Sequence, residues 1–391
     1  MNRKLKIAVY SGEIPSTTFI ERLIKGIAKT GSAVYLFGAK KKSIAYTDNI
    51  SVVAYKHNKF SKLFTLIKYS VLLFLFRNND KKKLDQIIAS TSNNLVYSKV
   101  KFYPVLWVKP DVFHLQWAKA LREWSWVRQF GIKLVLSLRG AHINYSPIAN
   151  HDLAEMYNTY FPKVDGFHAV SNAIAKEALK YGAELSKIQT VYSGLDINNF
   201  SEIKKTKQPV FNIVSVGRSH WVKGYSYAID ACKILKDSGL EFKYTVVGVS
   251  KNIELVHHVH DLKLTHNISL VDKQPFEQIK QLIANADVFL LPSLKEGVAN
   301  VVLEAMALRT IVISTDCGGM SELIDNERNG YLIPIRNAVQ MAEKLMVISN
   351  LDSQNKNKIT DQAYRTINEK FTSDQMIAGM IDLYNSVLKD T

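Results

Sequence analysis

Cysteine is scarce in this 391-residue chain, and no apolar run is long enough to cross a bilayer. The two cysteines, Cys232 and Cys317, exclude a disulfide framework and a cysteine-rich zinc site, and they suit a reducing compartment. The longest apolar run, Leu63–Phe76, contains Lys68 and falls short of the roughly 20 residues that a transmembrane helix needs. The run Ile7–Tyr10 is too short for the core of a secretory signal, so we expect a cytoplasmic protein.

Acidic residues are scarce in the first quarter of the chain. Residues 1–110 carry 20 Lys and Arg but 5 Asp and Glu, which accounts for +15 of the net charge of +16. Such a surplus indicates a polyanionic neighbour, namely nucleic acid, an anionic membrane surface or an anionic substrate. The runs Lys40–Lys42 and Lys81–Lys83 lack aromatic interleaving and a helix–turn–helix pattern, so nucleic acid is not an expected partner.

An apolar run lies inside this basic region. Within the segment Phe60–Lys83, the apolar run Leu63–Phe76 is preceded by Lys59 and Lys62 and followed by Arg77 and Lys81–Lys83. Basic-flanked apolar helices lie in the interface of anionic membranes, which predicts peripheral docking on the inner face of the membrane. The alternative is a core helix of the first domain with basic ends.

Short β-rich runs alternate with helical periodicity in two blocks, which the polar stretch Ile197–Pro209 separates. The first block opens with a predicted strand, Leu5–Tyr10, and a predicted turn, Ser11–Ser16. The alternation predicts two doubly wound parallel α/β domains, residues 1–200 and residues 209–372. Ligands of open α/β sheets bind at the carboxyl ends of the strands, so the cleft between two such domains is the expected site.

The densest cluster of functional residue types follows the predicted strand Val288–Leu291. Glu296 is predicted on a loop, and Glu304 on a helix that begins near Asn300. Free backbone N–H groups at the start of that helix would form an anion site, at Gly297, Val298, Ala299 and Asn300. Because carboxylates accept hydrogen bonds from sugar hydroxyls, the loop could hold a phosphosugar. The alternative is an ordinary strand–loop–helix with two surface glutamates.

Two further features follow predicted strands of the second domain. Arg218 and Lys223 lie in a glycine-bounded turn after Val210–Val216 and can converge on one diphosphate, although solvated surface cations are the alternative. Gly318 and Gly319 follow a later strand and would let the backbone approach a ligand closely. Three such features at strand ends of one domain predict a binding site there.

These motifs carry a family resemblance. Their order is Gly-Arg…Lys-Gly, then Glu-Gly-x-x-Asn-x-x-x-Glu-Ala, then Thr-Asp-x-Gly-Gly-x-x-Glu-x-Ile…Asn-Gly, and it resembles the retaining glycosyltransferases of family 4. Weaker family-like pieces in the first half are Pro15–Ile20, Asp111–Trp117 and Val191–Asp196. The resemblance implies the GT-B fold, in which two Rossmann-like domains face each other across a cleft, and a helix within residues 373–391 that packs back on the first domain.

The resemblance also implies an activity. A nucleotide-sugar donor would bind the second domain, and a saccharide or lipid-linked acceptor the first, in the synthesis of a cell-surface polysaccharide or glycoconjugate. Glu296 would hold the donor sugar, Glu304 the ribose, and Arg218 and Lys223 would neutralise the departing diphosphate. The resemblance further implies that neither a metal nor a cofactor is needed, and the sequence has no Asp-x-Asp pair in a suitable place, so these cations would take the electrostatic role of a metal. The histidines His257, His258 and His260 are expected to be surface residues of a helix.

Some positions depart from the family pattern. Many relatives carry histidine near Arg139, so Arg139 and His142 are both candidates for contacts with the sugar or the acceptor. The first turn has Gly12 where a glycine-rich loop is common, which makes Gly12 a candidate for donor contact. Alternative functions are a non-hydrolysing nucleotide-sugar epimerase and a catalytically silent, membrane-associated sugar-nucleotide-binding protein.

Overall fold

The computed structural model of the protein describes residues 4–47, 49–200, 203, 205–206 and 209–389. Its strands form two parallel sheets, and the contacts divide the chain into two units. The first unit comprises the described residues up to Val170, together with Ile174–Val191 and the described residues from Met376 onward. The second comprises Ser171–Ala173 and the described residues of Tyr192–Gln375. The prediction of two doubly wound α/β domains is confirmed.

The first unit contains a seven-stranded sheet of continuous apolar runs, since helices cover both faces of a parallel sheet. Its strands are β1 (Lys6–Ile14), β2 (Ala33–Lys40), β3 (Ile50–Tyr55), β4 (Val112–Leu115), β5 (Lys133–Leu138), β6 (Gly166–Ala169) and β7 (Ile188–Thr190). They lie in the order β3-β2-β1-β4-β5-β6-β7. The order reverses beside β1, as expected of a doubly wound sheet.

The second unit repeats this plan with six strands. They are β8 (Phe211–Val216), β9 (Phe242–Val247), β10 (Ile268–Val271), β11 (Val288–Leu291), β12 (Ile311–Thr315) and β13 (Tyr331–Ile333). The order β10-β9-β8-β11-β12-β13 makes β8, β11 and β12 neighbours. The loops that follow these three strands therefore meet at one edge of the sheet.

Helices connect the strands. Those from the start of the chain to the end of the first sheet are α1 (Thr18–Lys29), α2 (Lys59–Phe76), α3 (Asn78–Thr91), α4 (Leu95–Val108), α5 (Leu121–Trp124), α6 (Ala141–Asn144), α7 (Ser146–Ala149), α8 (His151–Tyr160) and α9 (Asn172–Leu179). Those that follow are α10 (Tyr225–Asp237), α11 (Ile253–Asp261), α12 (Phe276–Ala284), α13 (Asn300–Ala307), α14 (Met320–Leu323), α15 (Ala338–Ser349), α16 (Ser353–Lys370) and α17 (Ser373–Lys389).

The chain passes from the first unit to the second at Val191, earlier than the predicted boundary at residue 200. Leu195 and Phe200 are buried in the core of the second unit, and the Leu195 N–H donates to the Phe371 carbonyl at 2.8 Å. The burial of these apolar side chains places the boundary between the units before Leu195. The polar stretch from which the boundary was predicted begins only at Ile197. Within the predicted linker Ile197–Pro209, residues 201, 202, 204, 207 and 208 lie outside the described part of the chain.

The last helix, α17, contributes to the core of the first unit. Its apolar stripe packs against the inner side chains of α1 and β1. Gly26 on α1 permits this close packing, because a Cβ atom there would clash with the Ile377 side chain. The stripe residues that are buried are Met376, Ile377, Met380, Leu383, Tyr384 and Val387.

The helix α2 is unusual because most of its apolar side chains remain exposed. Among its residues, Leu73 is buried, while Phe60, Phe64 and Phe76 are 86%, 71% and 70% exposed. The helix therefore has two faces: Leu73 belongs to the core of the first unit with Leu66 and Tyr69 packed against it, and the opposite face is exposed. Among the described residues, no helix combines the length and the apolar character needed to cross a membrane.

Candidate active site

Three loops of the second unit meet at the carboxyl edge of its sheet. The Leu294 N–H donates to the Val222 carbonyl at 2.7 Å, which ties the loop after β11 to the loop after β8. The Gly319 N–H donates to the Gly297 carbonyl at 2.8 Å, which ties the loop after β12 to the loop after β11. The three predicted motifs of the second domain are therefore in direct contact.

An ion pair joins the first two motifs. The Lys223 ammonium lies 2.6 Å from the Glu296 carboxylate, and each side chain is 16% exposed. The hydroxyl of Ser293, a buried residue, donates to the same carboxylate oxygen at 2.8 Å. The family resemblance implies separate contacts of Lys223 and Glu296 with a substrate, and in the structure these two side chains are also partners of each other.

Two glycines permit this close arrangement. Gly224 ends the short 3-10 helix that carries Lys223, has φ of +65°, and would place a Cβ atom 2.0 Å from the Pro292 carbonyl oxygen. Gly318 has φ of +63° and would place a Cβ atom 1.9 Å from the Glu296 carbonyl oxygen. The motif predicts Gly318 as a point of close approach for a ligand, and in the structure the Glu296 backbone itself approaches Gly318 closely.

The helix α13 begins at Asn300, as predicted, with Ala299 as its N-cap. Gly297 and Ala299 are buried, and Val298 and Asn300 are half-buried. The Asn300 side-chain oxygen is buried and has no hydrogen-bond partner in the described part of the chain. Glu304 lies on the same helix, one turn after Asn300, where residues four apart share a face.

The remaining polar groups of the edge differ in exposure. Arg218 is exposed on the loop after β8. Burial, aided by the nearby Glu296 carboxylate, raises the pKa of Tyr225. Burial also raises the pKa of Cys317 to about 12 and that of Cys232 still further, so both thiols stay protonated and are poor nucleophiles. The edge thus offers the cations of Arg218 and Lys223, the carboxylates of Glu296 and Glu304 and a helix N-terminus, while neither thiol is activated.

Gly12, Arg139 and His142 belong to the first unit. Gly12 is part of β1, because the strand continues past the predicted turn and pairs Gly12 with Gly38 after a register shift. A Cβ atom on Gly12 would meet no atom within 4 Å. The ring of His142 stacks on Trp117 at 5.2 Å between centroids, and burial together with Lys119 lowers the pKa of His142 to about 4.

A buried chain of hydrogen bonds lies under Arg139. The Nδ1 atom of His114 lies 2.7 Å from the Tyr384 hydroxyl, and its Nε2 atom lies 2.8 Å from the Ser137 hydroxyl. Ser137 in turn lies 2.8 Å from Nδ1 of His168, whose Nε2 atom lies 2.9 Å from the Val191 carbonyl. Because that carbonyl only accepts, the consistent assignment runs from Tyr384 through His114 and Ser137 to His168, with both imidazoles neutral.

Arg139 is attached to this chain. Its Nη2 group donates to Gln116 at 3.0 Å and to Ser137 at 3.2 Å. Burial lowers the pKa of the Arg139 guanidinium to about 10, so it keeps its charge near neutral pH. Gln116 is not among the predicted site residues, although its position directly after β4 is a signal that could have indicated it. The Gln116 Nε2 group is buried and has no partner among the described residues.

The histidines His257, His258 and His260 lie on α11, as expected. Nε2 of His258 is 2.8 Å from the Asp230 carboxylate. This contact gives the ring a structural partner on the neighbouring helix α10.

Comparisons with known proteins agree with this architecture. Residues 196–366 match the family model described as glycosyl transferases group 1. The colanic acid biosynthesis glycosyltransferase WcaL of Escherichia coli K12 is 28% identical over 72% of this chain and 71% of its own. The amylovoran biosynthesis glycosyltransferase AmsK of Erwinia amylovora is 30% identical over 56% of this chain and 55% of its own.

A solved structure shows the same fold. Anabaena HepE in complex with UDP-glucose superposes with a TM-score of 0.70, covering 98% of this chain and all of its own at 17% identity. The GT-B fold implied by the sequence motifs is thus confirmed. The chain carries a domain of the glycosyl transferases group 1 family and is a glycosyltransferase.

Proposed function

We propose that the protein is a retaining glycosyltransferase that moves a sugar from a nucleotide-sugar donor to a saccharide or lipid-linked acceptor in cell-surface polysaccharide synthesis. The observation that carries the proposal is the Lys223–Glu296 pair beside the N-terminus of α13. The names of WcaL and AmsK, which refer to colanic acid and amylovoran biosynthesis, support the polysaccharide assignment.

The donor binds at the carboxyl edge of the second sheet. Glu296 accepts hydrogen bonds from hydroxyls of the donor sugar, and Glu304 holds the ribose. Arg218, Lys223 and the backbone N–H groups of residues 297–300 receive the diphosphate, with the helix dipole adding to their attraction. The binding of UDP-glucose by HepE, which has the same fold, supports a nucleotide-sugar donor.

Neutralising the charge on the leaving diphosphate accounts for much of the rate acceleration. Negative charge develops on the diphosphate as its bond to the sugar breaks, and a fixed cation in a water-poor site stabilises that charge strongly. Lys223 and Arg218 take this role without a metal or a cofactor. The departing diphosphate accepts the acceptor's proton, so no side chain is named as a nucleophile.

The assay uses the full chain, a panel of UDP- and GDP-sugars, and a measurement of released nucleoside diphosphate. Slow release with water as acceptor supports transfer chemistry. An isomerised donor would instead indicate an epimerase, and binding without turnover would indicate a silent binding protein. Lys223→Met should lower the rate by about 10²–10³-fold. Its control is Lys233→Met, which changes an exposed lysine of α10 that pairs with Asp237.

The proposal includes peripheral docking of the first unit on the inner face of an anionic membrane. The exposed apolar side chains of α2 recur at every third or fourth position and so share one helix face: Phe60, Leu63, Phe64, Ile67, Val71, Phe74 and Leu75. We call this set the α2 stripe. Lys59 precedes the stripe and Lys68 follows Ile67 beside it, so apolar burial and attraction to anionic headgroups can act together.

Docking is tested by sedimentation with liposomes. We expect binding to anionic liposomes, partial release in high salt, and little binding to neutral ones, because salt screens the electrostatic part alone. Phe64→Ser with Ile67→Ser should weaken binding while nucleotide affinity is kept. Equal binding to neutral and anionic liposomes, or none to either, would refute docking. Lys81 pairs with Asp85 and Lys83 donates to the Gln129 carbonyl, so the run Lys81–Lys83 is a poorer test.

A further inference from the structure

A cavity of about 200 Å³ lies beneath α2 in the first unit. Its walls come from α2, from α4 and from the strands β1, β2 and β3. Thr65 and Tyr69 line it on the helix side, and Ala54 lines it on the sheet side. The cavity is thus enclosed by the element that carries the α2 stripe.

The cavity is continuous with the exposed apolar surface. Phe64 lines the cavity and is also 71% exposed as a member of the α2 stripe. An apolar chain that lies along the stripe therefore meets the cavity at Phe64. This arrangement suits a molecule with an apolar tail and a separate head.

The charge of the cavity is of one sign. Among the described residues that line it, the charged ones are Lys68 and Lys101, with no Asp or Glu. Lys101 is paired with Glu123, and burial lowers the pKa of Lys101 to about 8. Lys68 lies 5.3 Å from the centre of the Tyr69 ring and forms no ion pair with a described residue. Lys68 is therefore the cation available to an anionic head.

We infer that this cavity binds the phosphate head of a lipid phosphate whose chain lies along the α2 stripe. Lys68 attracts the phosphate, and the hydroxyl of Tyr69 on the cavity wall is a donor for its oxygens, whereas the Thr65 hydroxyl already donates to the Ser61 carbonyl at 2.8 Å. The inference that the lipid binds depends only on these features of the first unit. Its role as the acceptor, or as the carrier of the acceptor, rests on the proposed function.

The binding test uses isothermal titration calorimetry on the full chain, with decyl phosphate below its micelle concentration as the probe. Decanol carries the same chain without the charge, and inorganic phosphate carries the charge without the chain. We expect saturable binding of decyl phosphate at least about tenfold tighter than that of either part, since both the chain and the charge contribute. Equal affinity for decanol, equal affinity for inorganic phosphate, or no saturable binding would each overturn the inference.

Variants separate the cavity from the stripe. Lys68→Ala should weaken decyl phosphate binding about tenfold, whereas Lys82→Ala, which changes an exposed lysine outside the cavity, should leave it unchanged. Thr65→Trp should fill the cavity and abolish saturable decyl phosphate binding while liposome binding through the stripe persists. Unchanged nucleoside diphosphate affinity and an unchanged unfolding midpoint show that the variant has folded. Ala54→Leu narrows the same cavity from the sheet side if the tryptophan is not tolerated.

The outcomes distinguish this inference from the proposed function. Nucleoside diphosphate release with water as acceptor does not need the cavity, so Thr65→Trp should retain it. If the protein binds decyl phosphate but never turns over a nucleotide sugar, the transferase proposal is refuted and the lipid site is supported. If the protein turns over nucleotide sugars but shows no saturable binding of decyl phosphate, the lipid site alone is refuted.

Discussion

Replacing Glu296 by glutamine should strengthen the binding of a free nucleoside diphosphate, although Glu296 belongs to the proposed donor site. In the structure the Lys223 ammonium is paired with the Glu296 carboxylate at 2.6 Å. A diphosphate that approaches Lys223 must therefore share it with that carboxylate and also meets the carboxylate's own repulsion. Glu296→Gln removes the negative charge and keeps an oxygen that can accept from Ser293.

The distance sets the size of the effect. Two unit charges at 2.6 Å attract by about 1.6 kcal/mol in bulk water and by about 6 kcal/mol at an effective dielectric constant of 20. The cost of desolvating both groups offsets much of this attraction. A net release of about 1–1.4 kcal/mol corresponds to a gain of roughly five- to tenfold in affinity for UDP or GDP. Lys223→Met should lower the same affinity by at least about tenfold.

Calorimetric titration with UDP and GDP measures the affinities, and nucleoside diphosphate release measures turnover. Glu296→Gln should bind free diphosphate more tightly yet turn over donor more slowly, because the sugar loses its carboxylate. Lys233→Met serves as the charge control. If Glu296→Gln weakened free diphosphate as much as Lys223→Met does, Lys223 and Glu296 would not compete for the ligand, and the reasoning would be wrong.

Three further predictions concern the same edge of the second sheet. Glu304→Gln should weaken free nucleoside diphosphate and nucleotide sugar by equal factors in titrations, since both carry the ribose. Gly318→Ala should lower the unfolding free energy by about 2 kcal/mol or more in urea titrations, because its φ is +63° and its Cβ would lie 1.9 Å from the Glu296 carbonyl oxygen. Ser293→Ala should lower the unfolding free energy by about 1 kcal/mol, again in urea titrations, because it removes a partly buried hydrogen bond to Glu296.

The strands that carry the site could be predicted from sequence because each is a local apolar run. The strand β11 and the start of α13 at Asn300 agree with their predictions, since burial on both sheet faces leaves an unbroken apolar run before the loop. The extent of β1 could not be predicted in this way. Its last residues are held by pairing with β2, including the pair Gly12 and Gly38, and local turn residues do not reveal that pairing.

Contacts between distant residues account for the other differences. Lys223 and Glu296 are 73 positions apart, and their ion pair follows from the adjacency of β8 and β11 in the sheet. The sequence also marks α2 as apolar without saying which side chains a neighbour covers. Only the packing of α2 in the first unit shows that Leu73 is buried while Phe60 and Phe64 are exposed.

The hydrogen-bond chain of the first unit should make the protein less stable as the pH falls below about 6.5. Burial, with the Arg139 charge nearby, lowers the pKa of His168 to about 3, and burial holds the pKa of His114 well below its ordinary value. Below pH 6.5 the unfolded chain binds a proton at each histidine and the folded chain does not. The stability that the neutral imidazoles contribute is therefore fully present above pH 6.5 and is lost as the pH falls towards the pKa of the folded state. Between about pH 7.5 and 5.5, each histidine should lower the free energy of unfolding by about 1.4 kcal/mol, and the pair should lower it by about 3 kcal/mol.

Urea unfolding followed by tryptophan fluorescence measures this loss, because four of the five tryptophans belong to the first unit. His168→Asn should shrink the pH dependence while His151→Asn, at an exposed position, leaves it unchanged; equal stability at both pH values would show that the imidazoles are not held neutral.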